Sequence, residues 1–106
     1  KDDIIKSFGY RVSPYEIERV FKSHPAISDC AAVGEVIGDK TLVVVHVMSM
    51  DPKVDPNDLL HFGNTNLASY KAPKIVYITS DFPRTKNGKI LRRAINKEQA
   101  LRFSNL

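Results

Sequence analysis

The chain has 106 residues, 42% hydrophobic and 26% charged, with 16 Lys and Arg against 12 Asp and Glu for a formal net charge of +4. That length supports one hydrophobic core and excludes a large multi-domain enzyme within these residues alone. Recurrent Val, Ile, Leu and Phe argue against disorder, and no apolar run approaches the roughly 20 residues of a membrane-spanning helix.

Residues Asp3 to Ser7 alternate weakly, and Phe8-Gly9 permits a tight turn before Tyr10-Arg11-Val12, which predicts a short hairpin. Ser13-Pro14 with Glu16 predicts a helix start. Ser13 would cap the N–H of Glu16, Glu16 would reach back, and Pro14 would occupy a site where its missing N–H costs nothing. Ile17, Val20 and Phe21 fall at i, i+3 and i+4 as a buried stripe, and His24-Pro25 ends the helix. Two β-branched runs, Asp29 to Ile37 and Thr41 to Met50, are joined by Gly38-Asp39-Lys40 and predict a hairpin of long strands. Leu42 to Val45 is apolar on both faces, as in a central strand.

Asp55-Pro56 opens a second predicted helix with Leu59, Leu60 and Leu67 as its buried side and Lys71-Ala72-Pro73 as its close. Gly63 inside it costs about 1 kcal/mol relative to Ala. Ile75 to Thr79 is a third strand of the main sheet, and Ser80 to Gly88 a polar loop ending in the turn pair Asn87-Gly88. Ile90, Leu91, Ala94 and Ile95 predict a last helix continuing towards Leu101. The expected fold class is α+β: a short N-terminal β-hairpin followed by a small three-stranded sheet flanked by helices. Lys1-Asp2-Asp3 carries neither an initiator Met nor a signal peptide, so residues 1–106 read as one domain of a longer polypeptide.

The charge is concentrated. Arg84, Lys86, Lys89, Arg92, Arg93 and Lys97 fall in one stretch without an acid, leaving 10 bases against 12 acids elsewhere. Such a segment is either a solvated face or a partner for an anion. A basic nucleic-acid-binding module is one reading, but the stretch has no interleaved aromatic residue and the chain no Trp to stack on bases. The single Cys30 lies in an apolar stretch and reads as a buried thiol of a reducing, cytoplasmic compartment. His24, His46 and His61 have no metal-ligand spacing, so no protein-bound metal is expected.

Within the basic stretch, Asn87-Gly88 allows positive φ angles that would present Lys89 at a loop tip. An ammonium on a long stem there is a mobile point charge suited to a phosphate or carboxylate brought from elsewhere. Pro83-Arg84-Thr85-Lys86-Asn87-Gly88-Lys89-Ile90-Leu91-Arg92-Arg93 resembles the C-terminal signature of the adenylate-forming superfamily: acyl-CoA synthetases, peptide-synthetase adenylation domains and luciferases. Three further segments match it in order. Asp2-Asp3-Ile4-Ile5-Lys6 with Gly9-Tyr10-Arg11-Val12-Ser13-Pro14-Tyr15-Glu16-Ile17-Glu18 is similar to the family's hinge and the strand, turn and helix after it. His24-Pro25-Ala26-Ile27 with Ala31-Ala32-Val33-Gly34 matches another step, and Tyr70-Lys71-Ala72-Pro73 a fourth. Phe62-Gly63-Asn64 departs from the family's helix at that point.

The resemblance implies the mobile C-terminal lid of a two-step ligase. Such an enzyme joins a carboxylic acid to the AMP portion of ATP, with Mg²⁺ held by the nucleotide and the N-terminal domain, and then passes the acyl group to a thiol. It implies Lys89 as the adenylation lysine, Asp2 as the hinge, and Ser7, Phe8 and Gly9 along the path of the pantetheine arm of coenzyme A. Lys6 and Arg11 would face phosphate groups, whereas Tyr70 and Lys71 read as a structural helix end. Gly-Tyr-Arg-Val-Ser-Pro-Tyr-Glu-Ile-Glu favours coenzyme A over a carrier-protein thiol, the alternative. The phosphate loop and acid pocket belong to the family's larger N-terminal domain, so the chain alone is expected to have no ligase activity.

Overall fold

The computed structural model describes residues 4–96 and 100–104. Strands β1 (Ile5–Ser7) and β2 (Tyr10–Val12) pair antiparallel with Ile5 opposite Val12, Lys6 opposite Arg11 and Ser7 opposite Tyr10. Phe8 and Gly9 between them have φ of 52° and 82°, the double positive φ of a tight type I′ hairpin turn.

Helix α1 (Pro14–Lys22) follows, with Pro14 in its first turn and buried. The expected capping box does not form. Ser13 occupies the N-cap position but its side chain caps nothing, and Glu16 instead pairs with Lys71 at 3.0 Å. Ile17 and Phe21 are fully buried and Val20 half-buried, and Glu18 is buried with them.

The main sheet has four strands in the order β3-β4-β5-β6. β3 (Ile27–Ile37) and β4 (Lys40–Ser49) form the long antiparallel hairpin, with an irregularity between Ile27 and Asp29. β5 (Ile75–Ile78) lies parallel to β4, and β6 (Leu101–Ser104) antiparallel to β5. One face of the sheet packs on the helices through Ala32, Val43, Val45, Val47 and Val76 against Ile17, Phe21 and Leu59. The other carries Leu42, Val44, Ile75 and Tyr77, so β4 is apolar on both faces as its sequence requires.

Helix α2 (Pro56–Asn66) is capped by Asp55, whose carboxylate accepts the Asn57 N–H at 2.9 Å. It runs unbroken through Gly63 and stops at Asn66, before the expected close at Lys71-Ala72-Pro73; Leu67 is the extended, half-buried C-cap. A Cβ on Gly63 would lie 3.0 Å from Phe21 Cζ and 3.2 Å from Pro73 Cδ. The glycine therefore allows α2 to approach α1 closely, which accounts for a poor helix former in mid-helix.

Two expectations fail together. The sheet has four strands and not three, and the predicted last helix is one 3-10 turn over Arg92–Ala94, followed later by β6. Ile90 is drawn into a bridge with Arg84, which takes it out of any helical repeat. β5 also has a second edge whose N–H and C=O groups need partners, and β6 supplies them.

Candidate functional site

Lys89 stands on a tight loop closed by its own backbone. Arg84 bridges to Ile90, Leu91 N–H donates to Pro83 O at 2.9 Å, and Thr85 N–H donates to Lys89 O at 2.8 Å. Gly88 N–H donates to Thr85 O at 2.9 Å, and Lys89 N–H to Thr85 Oγ1 at 3.1 Å. Only Gly88 of the Asn87-Gly88 pair takes a positive φ, 86°. The Lys89 side chain is exposed and belongs to none of the ion pairs formed among the described residues.

The neighbouring bases are committed differently. Arg84 ion-pairs with Asp29 and also donates from Nη1 to Gly88 O at 2.9 Å, so one guanidinium joins the loop to β3 and braces it internally. Burial pushes the Asp29 carboxyl up, but Arg84, the Cys30 N–H and Lys22 outweigh it and hold it below the ordinary carboxylate range. Arg92 makes a two-point pair with Glu18, Nη2 to Oε1 at 2.6 Å and Nε to Oε2 at 2.9 Å, and its guanidinium lies 4.8 Å from the Tyr15 ring centre. Lys86, Lys89 and Arg93 are exposed. Lys97 lies outside the described residues, as does the hinge candidate Asp2.

The second group of candidate residues lies on the β1–β2 hairpin. Lys6 and Arg11 are directly opposite each other and both exposed, a like-charge cross-strand pair that is unfavourable until an anion neutralises it. Ser7 points inward, buried, and its hydroxyl donates to Thr41 O at 2.9 Å, so the side chain fastens the hairpin to β4. Phe8 is 60% exposed, with Lys40 Nζ 6.0 Å from its ring centre. A Cβ on Gly9 would meet nothing within 4 Å, so the outside of the turn is open.

Sequence reasoning missed the surroundings of both groups. Tyr10 stacks on Tyr70 at 4.2 Å, and the two join Phe8 and Lys74 around a groove of about 330 Å³. Lys6 and Arg93 line a separate cleft of about 540 Å³ beside Glu35 and His46. Lys71, paired with Glu16, ties the turn after α2 to α1, a structural contact made beyond the helix end and not at it. These partners are remote in sequence and leave no local signal.

The anchors of the two groups lie at opposite ends of the long β3–β4 hairpin. Arg84 fastens the Lys89 loop at Asp29, near the start of β3. The β1–β2 turn is fastened at Thr41, which pairs with Val36 near the end of β3. Asp29 and Val36 are seven steps apart along the strand, roughly 23 Å at about 3.3 Å per step.

Cys30 is buried, and burial together with the Glu18 carboxylate pushes its thiol up to about 12, so it is no nucleophile. Among the described residues no group of three or more His, Cys, Asp or Glu could hold a metal ion, and no helix is long and apolar enough to cross a membrane.

The sequence pattern of the AMP-binding enzyme C-terminal domain matches residues 16–89. The chain is 36% identical over 106 residues to a long-chain-fatty-acid–CoA ligase of Escherichia coli, covering 99% of this chain and 19% of that protein. It is 33% identical over 105 residues to the mitochondrial acyl-coenzyme A synthetase ACSM5 of Rattus norvegicus, covering 92% of this chain and 18% of that protein. Its fold superposes on a Mycobacterium tuberculosis fatty acyl CoA synthetase with a TM-score of 0.80 at 32% identity, covering 87% of this chain and 18% of that one. The Bacillus subtilis o-succinylbenzoate CoA synthetase in complex with its acyl-adenylate intermediate gives 0.82 at 27% identity, covering 89% and 19%. The chain thus spans about a fifth of the length of these relatives.

Proposed function

The chain belongs to the AMP-binding enzyme C-terminal domain family, and on that basis we propose that it is the swinging lid of an AMP-forming acyl-CoA synthetase. A larger N-terminal domain of the same polypeptide would hold ATP, Mg²⁺ and the carboxylic acid. In the first step a carboxylate oxygen attacks the α-phosphorus of ATP, and the bond to pyrophosphate breaks. In the second, the coenzyme A thiol attacks the acyl carbonyl, and AMP leaves.

Lys89 is the group this lid brings to the first step. The observation that carries the reading is the exposed ammonium on a backbone-braced loop, engaged in no ion pair among the described residues. At about 4 Å from a developing phosphoryl anion, with an effective dielectric near 20, its raw attraction is about 4 kcal/mol. A lysine already paired within its own domain would have to break that pair first.

The hairpin serves the second step. Gly9 leaves room for a thin pantetheine chain to pass the turn, Phe8 flanks that path, and Ser7 holds the hairpin to β4. Lys6 and Arg11 offer an anion two facing cations whose mutual repulsion it relieves. The two groups are fastened at opposite ends of β3, at Asp29 and, through Thr41, beside Val36. Rotation about Asp2 between two poses would bring each in turn. Coenzyme A is favoured over a carrier-protein thiol because the relatives bear the names of CoA ligases and acyl-CoA synthetases.

The test is ATP–pyrophosphate exchange by the intact ligase, using the best acid from a panel running from acetate to palmitate with benzoate. Lys89→Ala is expected to lower exchange by about 10²- to 10³-fold, as when one preorganised donor to a transition-state oxyanion is removed. Exchange at the parent rate would overturn the assignment.

A further inference from the structure

The Lys89 loop is held to the rest of the domain by two arginines, one on each side of the lysine. Arg84 reaches Asp29 at the start of β3, and Arg92 reaches Glu18 in the middle of α1. The hydrogen bonds that close the loop, by contrast, run within residues 83–91 and leave the orientation of the whole loop on the domain unspecified.

Of the two arginine anchors, the Arg92–Glu18 pair is the more enclosed. Both side chains are only 11% exposed, against 36% for Arg84. Glu18 accepts from Arg92 Nε and Nη2 and from the Ala32 N–H at 2.9 Å, so one carboxylate joins α1, β3 and the segment after Lys89. The Tyr15 ring lies beside the same guanidinium. A planar fork meeting a carboxylate at two points fixes direction as well as distance, which a lysine at position 92 would not do.

We propose that Glu18 and Arg92 are positioning residues for the adenylation step: their pair sets the angle at which the Lys89 loop leaves the domain. Neither touches substrate; they act through the aim of Lys89. The proposal rests on the reading of Lys89 as the adenylation lysine. It predicts a selective defect, because the β1–β2 hairpin that serves thioester formation is fastened separately, through Ser7 and Thr41.

The experiment takes Glu18→Gln and Arg92→Lys in the intact ligase and measures the two half-reactions apart, beside Lys89→Ala. Glu18→Gln keeps an acceptor for the Ala32 N–H, and Arg92→Lys keeps the charge; each removes the fork. Both variants are expected to lower the kcat of ATP–pyrophosphate exchange by about tenfold or more, with the KM for ATP nearly unchanged, since small misplacements of a catalytic group cost up to about 10²-fold. Thioester formation from preformed acyl-adenylate should stay within about twofold of the parent, since the group that fails acts only in the first transition state. Unchanged exchange, or an equal fall in both half-reactions, overturns the positioning role while leaving the Lys89 assignment standing. Unchanged exchange in Lys89→Ala overturns that assignment and the positioning proposal with it.

Discussion

An ammonium at a loop tip serves a reaction only if its own domain does not neutralise it, and the basic segment divides along that line. Arg84 and Arg92 are spent on Asp29 and Glu18, while Lys86, Lys89 and Arg93 face outward. The outward position of Lys89 was legible in the sequence because its setting is local: a glycine able to take positive φ directly before it, inside a polar loop. Glu18 was not legible. It is 74 residues from Arg92, and an acid beside Ile17 on an amphipathic helix reads as solvated until its partner is seen. Asp29 carries a testable consequence. Its carboxyl is held below its ordinary value of 3.8, so the stability it contributes is present above that pH and is lost as pH falls through the lower folded value. Asp29→Asn should therefore destabilise this chain in urea at neutral pH, with the gap narrowing below pH 3.8. A gap of constant size across that range would count against the Arg84–Asp29 anchor.

The hairpins and helices were readable where turn chemistry and periodicity agreed: Phe8-Gly9, Pro14 at a helix start, Asp55-Pro56, and the β-branched runs of β3 and β4. β6 was not, because its four residues carry only a weak alternation and owe their conformation to the free edge of β5. Ile90, Leu91, Ala94 and Ile95 do have helical spacing, yet the Arg84–Ile90 bridge closes that segment into a loop, and the Arg84–Asp29 and Arg92–Glu18 pairs hold it against β3 and α1 instead. α2 shows the converse, a helix that tolerates Gly63 because packing demands it. Gly63→Val would drive a branched side chain into Phe21 and Pro73, neither of which has free space to retreat into. We expect a loss of about 1–3 kcal/mol in chemical denaturation, the usual scale for overpacking a core. A neutral result would mean that the contact between α1 and α2 is looser than the packing implies.

The order of strands in the sheet could not be read from the sequence, since the parallel pairing of β4 with β5 depends on a crossover through α2. Within that sheet the long β3–β4 hairpin carries the anchors of the Lys89 loop and of the β1–β2 turn at its two ends. The same view weighs on the rival reading of the basic segment. With Arg84 and Arg92 paired internally, the basic segment offers fewer cations to a phosphate backbone, and no Trp is available to stack on bases. This chain should show no binding to duplex DNA or single-stranded RNA at about 50 mM salt, where such association is strongest. Tight, steeply salt-dependent binding would restore the nucleic-acid reading.

The proposed division of labour between the Lys89 loop and the β1–β2 hairpin is best tested by a crossed measurement in the intact ligase, with Lys89→Ala and Gly9→Leu each assayed in both half-reactions. Lys89→Ala should abolish most acyl-adenylate formation and spare thioester formation from preformed acyl-adenylate. Gly9→Leu, which puts a side chain into the open space outside the turn and at a strained left-handed position (φ 82°), should do the reverse. If either substitution depresses both half-reactions equally, the two surfaces are not used in separate poses, and the account is contradicted.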